Sequence, residues 1–537
     1  MTQMAKMIFV AAATVLCASS LCAAAQAGAC EDLANLKLAD TTIKSAQAVP
    51  AGDFAPTPKA TYHDMPAFCR VTAEVKDAPD SDINVEIWLP LENWKGVFHG
   101  TGNGGYAGIL AEAYDEMAAG LKRGYASATT DMGTAPSTIL DGDPLLGHPQ
   151  KWKDWGRLST HVMTVVGKQI EKAFYGAEPK HSYFTGCSTG GQQALIEAQY
   201  YPDDYDGILA GAPVINRTWG HVIGVTVYQA AHLEPDHTLS PAKLTLLHEA
   251  AIKACGGKSN GLKSDAFIAD PMACKFDPAK LICHGADDGK CLTPAEVKTA
   301  KAFYAGPTDH DGKPLFFGLL PGSELNGWAF DEAPINNPNE PAFDGLFKWV
   351  FGADWNWRDF DTVRDMPKVD AMLGPDLNGA VTGSFDKFEA RGGKLVMYQG
   401  WADAIIPPSQ TIAFYLKTVK QFGGLRNTRK FARLFMAPGM AHCALGEGPT
   451  AFNSLSRFSA PPDSQADGDV FAAMTKWVED GQAPTRIIAT EYVDHSPAKG
   501  IAMQRPLCPY PQKAWYEGAG NTNNASNFIC AVARPKN

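Results

Sequence analysis

Gly186-Cys187-Ser188-Thr189-Gly190 sets a serine between two glycines in the pattern G-x-S-x-G. A serine hydroxyl is a weak nucleophile at neutral pH, so chemistry at Ser188 needs a base, and the base needs a carboxylate to orient it. Further along the chain, Gly400-Trp401-Ala402-Asp403 offers the carboxylate. Pro438-Gly439-Met440-Ala441-His442-Cys443 offers the imidazole. Acyl transfer also needs two backbone N–H groups aimed at the developing oxyanion. Thr189, the residue after the nucleophile, supplies one. The glycine-rich run Gly102-Asn103-Gly104-Gly105 supplies the other, from Gly104 or Gly105. That run lacks the Lys-Ser/Thr of a phosphate-binding P-loop.

The pentapeptide alone discriminates little, because Gly257-Lys258-Ser259-Asn260-Gly261 also fits it. The elements around each match separate them. Ser182-Tyr183-Phe184-Thr185 reads as a strand before Ser188, and Gln192 to Tyr200 as a helix after it. A strand–turn–helix of this kind is what a nucleophile elbow requires. Ser259 sits in a polar stretch with no strand before it, so its match is read as coincidence. Asp403 follows the apolar run Lys394 to Tyr398, and His442 follows Leu434 to Met436, so both sit on loops at strand ends. Residues 83–99 read as two strands around a turn, with Ile83, Val85, Ile87 and Leu89 alternating as in a half-buried strand. Residues 125–130 make a further short strand, and 157–174 and 470–479 suit helices. Strands alternating with helices on both sides of the nucleophile predict an α/β sheet. The order Ser, Asp, His is that of the α/β-hydrolase fold.

Between about 215 and 382 the texture changes to Trp, Pro, Gly and Asn with four cysteines, and clear alternation stops. The expectation is a catalytic domain over 30–214 and 383–537, with 215–382 as one large insertion. A length of 537 residues agrees with more than one compact unit. Hydrophobic residues at 45% and charged residues at 20% exclude a disordered or fibrous chain. A net charge of −11 without a Lys/Arg run argues against a nucleic-acid partner. The expected partner is a small molecule; oligomeric state is not legible.

Lys6, the apolar run Met7 to Leu21 and the small residues to Ala29 read as a signal peptide over 1–29, cleaved after Ala27 or Ala29. The run is too short to span a bilayer, and no later stretch is long and apolar enough. The expected location is therefore secreted or periplasmic. Cleavage removes Cys17 and Cys22 and leaves ten cysteines, an even number that suits disulfides in an exported protein. Spacing favours Cys30–Cys69, Cys255–Cys274, Cys283–Cys291 and Cys508–Cys530, which leaves Cys187 and Cys443 to join each other. The competing reading is free or metal-binding cysteines; the chain has no C-x-x-C for a zinc ribbon.

Together these residues resemble the tannase and feruloyl esterase family, whose signature is Cys-Ser…Asp…His-Cys with a disulfide joining the two cysteines. Here those positions are Cys187-Ser188, Asp403 and His442-Cys443. The resemblance extends to the glycine loop through Tyr106, to the run from Gly439 to Pro449, and to the tail from Tyr516 to Cys530. It implies an α/β-hydrolase domain with a lid inserted between nucleophile and acid, and hydrolysis of esters of aromatic carboxylic acids. Feruloyl or other hydroxycinnamoyl esters come first. Gallate esters and mono(2-hydroxyethyl) terephthalate are the alternatives, and an acyltransferase or a non-catalytic binding protein on this scaffold are alternatives of class. Trp355, Trp357 and Phe360 either line the acyl pocket or pack the lid. The chemistry requires no cofactor. The resemblance also implies a structural calcium in a lid loop, which falls here on Asn260, Leu262 and Asp265. Calcium takes about six to eight oxygen ligands, preferably several charged, and this loop offers few carboxylates.

Overall fold

A computed structural model describes residues 30–135, 138–327, 340–454 and 466–535. The expected signal peptide, with Cys17 and Cys22, lies outside the described residues. The main sheet has nine strands. They are β1 (Thr41–Val49), β2 (Phe68–Val75), β3 (Ile83–Pro90), β4 (Val97–Thr101), β5 (Ala126–Thr130), β6 (His181–Cys187), β7 (Gly207–Gly211), β8 (Lys394–Gly400) and β9 (Ala432–Ala437). Their spatial order is β1-β2-β3-β5-β4-β6-β7-β8-β9. Neighbours from β1 to β5 pair antiparallel, and every pair from β5 to β9 is parallel.

Parallel strands buried on both faces read as unbroken apolar runs, and β8 shows the division of labour. Leu395 and Met397 face one core cluster, Val396 and Tyr398 the other. The period of two thus splits one strand between two layers of helix. On the first face lie α2 (Ser159–Tyr175), α3 (Thr189–Tyr200) and α8 (Pro408–Gln421); on the second lies α9 (Val470–Asp480). The helix α1 (Tyr114–Lys122) covers the antiparallel end. The chain has the α/β-hydrolase fold that the strand and helix pattern predicts.

Two expectations change. The strands within 83–99 form, but they do not pair, because β5 lies between β3 and β4. The alternation in β3 is real, yet the strand is not half-buried. Ile83, Val85, Ile87 and Leu89 face the main core. Glu86 on the opposite face is 1% exposed. Its carboxylate accepts from Arg70 Nε at 2.7 Å, Trp88 Nε1 at 2.7 Å and Tyr114 Oη at 2.7 Å. A polar residue that looked solvent-facing is buried because its partners come from the neighbouring strand, from Trp88 on its own strand and from a helix.

Between β7 and β8, the described residues add no strand to the sheet. This stretch holds α4 (Arg217–His232), α5 (Pro241–Cys255), α6 (Pro294–Ala305) and α7 (Thr362–Leu377). One apolar cluster here gathers Trp349, Trp357 and Phe360 with Tyr106, Trp152 and Trp155 from the earlier part of the chain. A second joins α4, α5 and α6 through Ile223, Leu247 and Phe303.

Candidate active site

Ser188 is the one residue between the end of β6 and the start of α3. Its φ of 64° and ψ of −118° lie outside the regions an L-residue prefers, at a cost of about 1–3 kcal/mol. The surroundings hold it there. Its N–H donates to Gly211 O at 3.0 Å, and its carbonyl accepts from Gln192 at 3.1 Å and Val214 at 3.3 Å. Close approach explains the glycines: a Cβ on Gly186 would stand 2.5 Å from Gly190 O, and one on Gly102 would stand 2.6 Å from Gly190 Cα.

Asp403 follows β8 and is fully buried. One carboxylate oxygen accepts from the amides of Ile405 and Ile406, both at 2.9 Å. The other accepts from Gln399 Nε2 at 2.8 Å and faces His442 Nδ1 at 2.9 Å. The carboxylate can only accept, so His442 carries its proton on Nδ1 and leaves Nε2 free to take another. The two loops interlock, with Ala402 N–H donating to Met440 O at 2.9 Å. A Cβ on Gly400 would meet Met440 O at 2.3 Å, so this close approach requires glycine.

Cys187 and Cys443 are bonded, with Cα atoms 5.9 Å apart across 256 residues of sequence. The bridge ties the neighbour of Ser188 to the neighbour of His442. The other four bridges match the expected pairs Cys30–Cys69, Cys255–Cys274, Cys283–Cys291 and Cys508–Cys530.

In the glycine loop, the amides divide into used and unused. Gly102 donates to Thr185 O at 2.8 Å, Asn103 to Gln193 Oε1 at 2.8 Å and Tyr106 to Ile139 O at 2.6 Å. The amides of Gly104 and Gly105 have no acceptor among the described residues, and both glycines line the cleft that holds Ser188 and His442. The run from Gly100 also spells G-x-G-x-x-G, but Gly102 closes on Gly190 where a dinucleotide would need the space.

Ser188 stands at the junction of two cavities. The cleft is lined by His442, Cys443 and the acidic Glu112, Asp115 and Glu116. The inner chamber is apolar, with Val214, Ile223, Val227, Leu319 and Ile406 in its wall. Ser188, Gly105, Phe343 and Ile405 belong to both.

A profile of the family described as tannase and feruloyl esterase matches residues 69–531. The chain belongs to this family. It is therefore a carboxylic ester hydrolase. An uncharacterised esterase of Xanthomonas campestris is 36% identical over 95% of this chain and 92% of its own length. A probable feruloyl esterase B-2 of Aspergillus flavus is 32% identical over 82% of this chain and 83% of its own. The crystal structure of feruloyl esterase B from Aspergillus oryzae superposes with a TM-score of 0.84 at 27% identity, covering 94% of this chain and all of that one.

Sequence reasoning about the esterase missed Arg217, on the first turn of α4. It is 3% exposed and lines the inner chamber. Its Nε donates to Gln192 Oε1 at 2.6 Å and its Nη2 to Thr189 Oγ1 at 3.0 Å. Its guanidinium lies 4.5 Å from the Trp155 ring centre. All these partners are uncharged, and burial pushes the guanidinium down to about 9. No sequence pattern marks a lone arginine of this kind. Phe343, shared by both cavities, was also unmarked. Of the lid aromatics, Trp355 stacks on Phe347 at 5.0 Å and Trp357 meets Tyr228 edge-on at 4.8 Å. These rings and Phe360 pack the insertion, and none lines the two cavities at Ser188.

The calcium expectation fails the chemistry of its donors. Asp265 is buried, with one oxygen on Arg505 Nη2 at 3.0 Å and the other on the Leu262 amide at 3.0 Å. Asn260 turns its amide nitrogen to Ala514 O at 3.2 Å. A guanidinium stands where a divalent ion would need the carboxylate, so Asn260, Leu262 and Asp265 do not fit calcium.

Proposed function

We propose that the protein is an exported serine esterase for esters of aromatic carboxylic acids, of the feruloyl or hydroxycinnamoyl type. The observation that carries this reading is Ser188 at the meeting of an apolar chamber and a His442-lined cleft. His442 must protonate the departing alcohol, so the alcohol lies on the cleft side. The acyl group then points into the apolar chamber. His442 takes the Ser188 proton as Oγ attacks the ester carbonyl, and Asp403 stabilises the imidazolium. The amides of Thr189 and of Gly104 or Gly105 hold the oxyanion. The alcohol leaves, and water hydrolyses the acyl-enzyme by the same route. Residues 215–382 serve as the lid over this site. Five disulfides support an oxidising compartment, outside the cell or in a periplasm.

A hydrolysis panel at equal concentration tests the reading: methyl ferulate, methyl p-coumarate, methyl gallate, mono(2-hydroxyethyl) terephthalate and a short aliphatic ester. Faster turnover of a hydroxycinnamate is expected. A clear preference for the aliphatic ester removes the aromatic-acyl assignment. Arg217 favours a second reading, in which the acyl group carries an anion, as the terephthalate monoester does. A buried cation with no carboxylate partner among the described residues is costly unless something anionic meets it. Under that reading Arg217→Met raises KM for the anionic ester and spares the neutral ones.

A further inference from the structure

A second cluster of ionisable groups lies on the side of α3 away from the elbow. His161 comes from the first turn of α2, Glu197 from the third turn of α3, and Asp204 from the loop between α3 and β7. One potential ligand atom from each lies within 4.8 Å of the other two. His161 Nδ1 stands 2.6 Å from Asp204 Oδ2. The imidazole is stacked on Tyr201 with ring centres 3.9 Å apart and planes 7° from parallel, which fixes its orientation.

Glu197 is fully buried, and neither of its carboxylate oxygens has a hydrogen-bond donor among the described residues. Burial and the facing carboxylate of Asp204 both raise its affinity for a proton. The neighbouring cation gives it no hydrogen bond and only partly offsets these effects: Lys168 Nζ donates to the main-chain carbonyl of Asp204. Arg391 is spent on Asp206 and on the carbonyls of Pro202 and Tyr205. His161 serves Asp204 alone, so Glu197, facing that carboxylate with no donor of its own among the described residues, needs either a proton shared with Asp204 or a cation between them.

We propose that His161, Glu197 and Asp204 form a binding site for a transition-metal ion of the zinc type. One imidazole nitrogen with two carboxylates is a donor set for zinc and its neighbours, whereas calcium and magnesium prefer oxygen alone. The side chain of His161 is 33% exposed, so the cluster is reachable from solvent. For the metal to take Nδ1 the ring proton sits on Nε2, and the proton otherwise shared by Glu197 and Asp204 is released to water. The ion joins α2, α3 and the strand entry behind the nucleophile. Glu197 lies nine positions after Ser188, about 13 Å along the helix, so the ion takes no part in ester cleavage. Its effect is to secure the helix that carries the elbow.

The test uses the full protein after dialysis against a chelator. Zinc uptake is followed by calorimetry, and cobalt(II) uptake by its visible d–d absorption. One equivalent is expected to bind, with a rise in thermal midpoint and esterase turnover unchanged. His161→Ala, a change at a partly exposed side chain, is expected to weaken binding by about 100-fold or more, and Glu197→Gln likewise. Absence of stoichiometric uptake overturns the proposal, and so does uptake that both variants leave unchanged. A protein that takes no metal and is stabilised by Glu197→Gln has a shared proton in place of the ion, which is also a refutation.

Discussion

Ser188 and Ser259 occupy the same pentapeptide pattern, both at positive φ, 64° and 55°, and both close to a disulfide. Their surroundings differ. Ser188 joins a strand to a helix, and its side chain borders two cavities. Ser259 follows the end of α5, and its Oγ donates to Asp270 at 3.0 Å while accepting from Lys513 Nζ at 3.3 Å. The first serine is left with room for a reacting atom. The second is engaged in an ion-pair network. The pattern G-x-S-x-G therefore encodes a tight turn, and the chemistry comes from what distant parts of the chain bring to it.

Ser188→Ala is expected to lower kcat on an aryl ester by about 10⁴-fold or more. Circular dichroism and the thermal midpoint should stay near those of the parent. Substantial turnover in a folded Ser188→Ala protein would falsify the nucleophile assignment.

The two disulfides should separate as the two serines do. Replacing Cys187 and Cys443 together by Ala removes a loop constraint worth roughly 5 kcal/mol, and replacing Cys255 and Cys274 removes roughly 3 kcal/mol on the chain-entropy estimate. Stability measured in urea should fall in both. Turnover per folded molecule should fall only for the first pair, because only that bridge fixes Ser188 against His442. Equal turnover in the two double variants would deny the active-site bridge any positioning role.

Arg505→Met probes the Ser259 region without touching the elbow. Arg505 and Asp265 are 5% and 3% exposed, so the change strands a buried carboxylate and is expected to cost about 3–5 kcal/mol. Burial already holds Asp265 above its ordinary 3.8, against the lowering effect of Arg505. Without Arg505 it rises further. A carboxyl raised in the folded state gives its full stability below pH 3.8 and loses it as pH climbs through the folded value. The deficit of the variant should therefore grow from acid to neutral pH, and Asp265→Asn added to it should recover much of the loss. A deficit independent of pH would show that Asp265 is not the stranded group.

Legibility followed chain proximity. Ser188 was readable because the strand before it and the helix after it are local patterns. Asp403 and His442 followed from their strand ends and the chain order. The division of the glycine loop was not, because Gly102 and Asn103 spend their amides on Thr185 and Gln193, far away in sequence. Arg217 left no trace, since a lone arginine in a helix start is ordinarily a surface residue. Glu86 and β3 failed for the same reason: their burial is set by Arg70 and Tyr114. The calcium loop failed because its cation comes from Arg505, some 240 residues downstream.

The smallest effect expected is that of Ser259→Ala. The hydroxyl bridges Asp270 and Lys513, but those two also meet directly at 2.5 Å. Loss of the hydroxyl therefore leaves the ion pair in place and costs on the order of 1 kcal/mol or less. Replacing a residue at φ 55° by Ala adds little strain beyond what serine already bears, since both have a Cβ. Esterase turnover should be unchanged within error. A loss of turnover approaching that of Ser188→Ala, in protein whose urea midpoint is intact, would mean that the second pentapeptide acts in catalysis and that context does not separate the two.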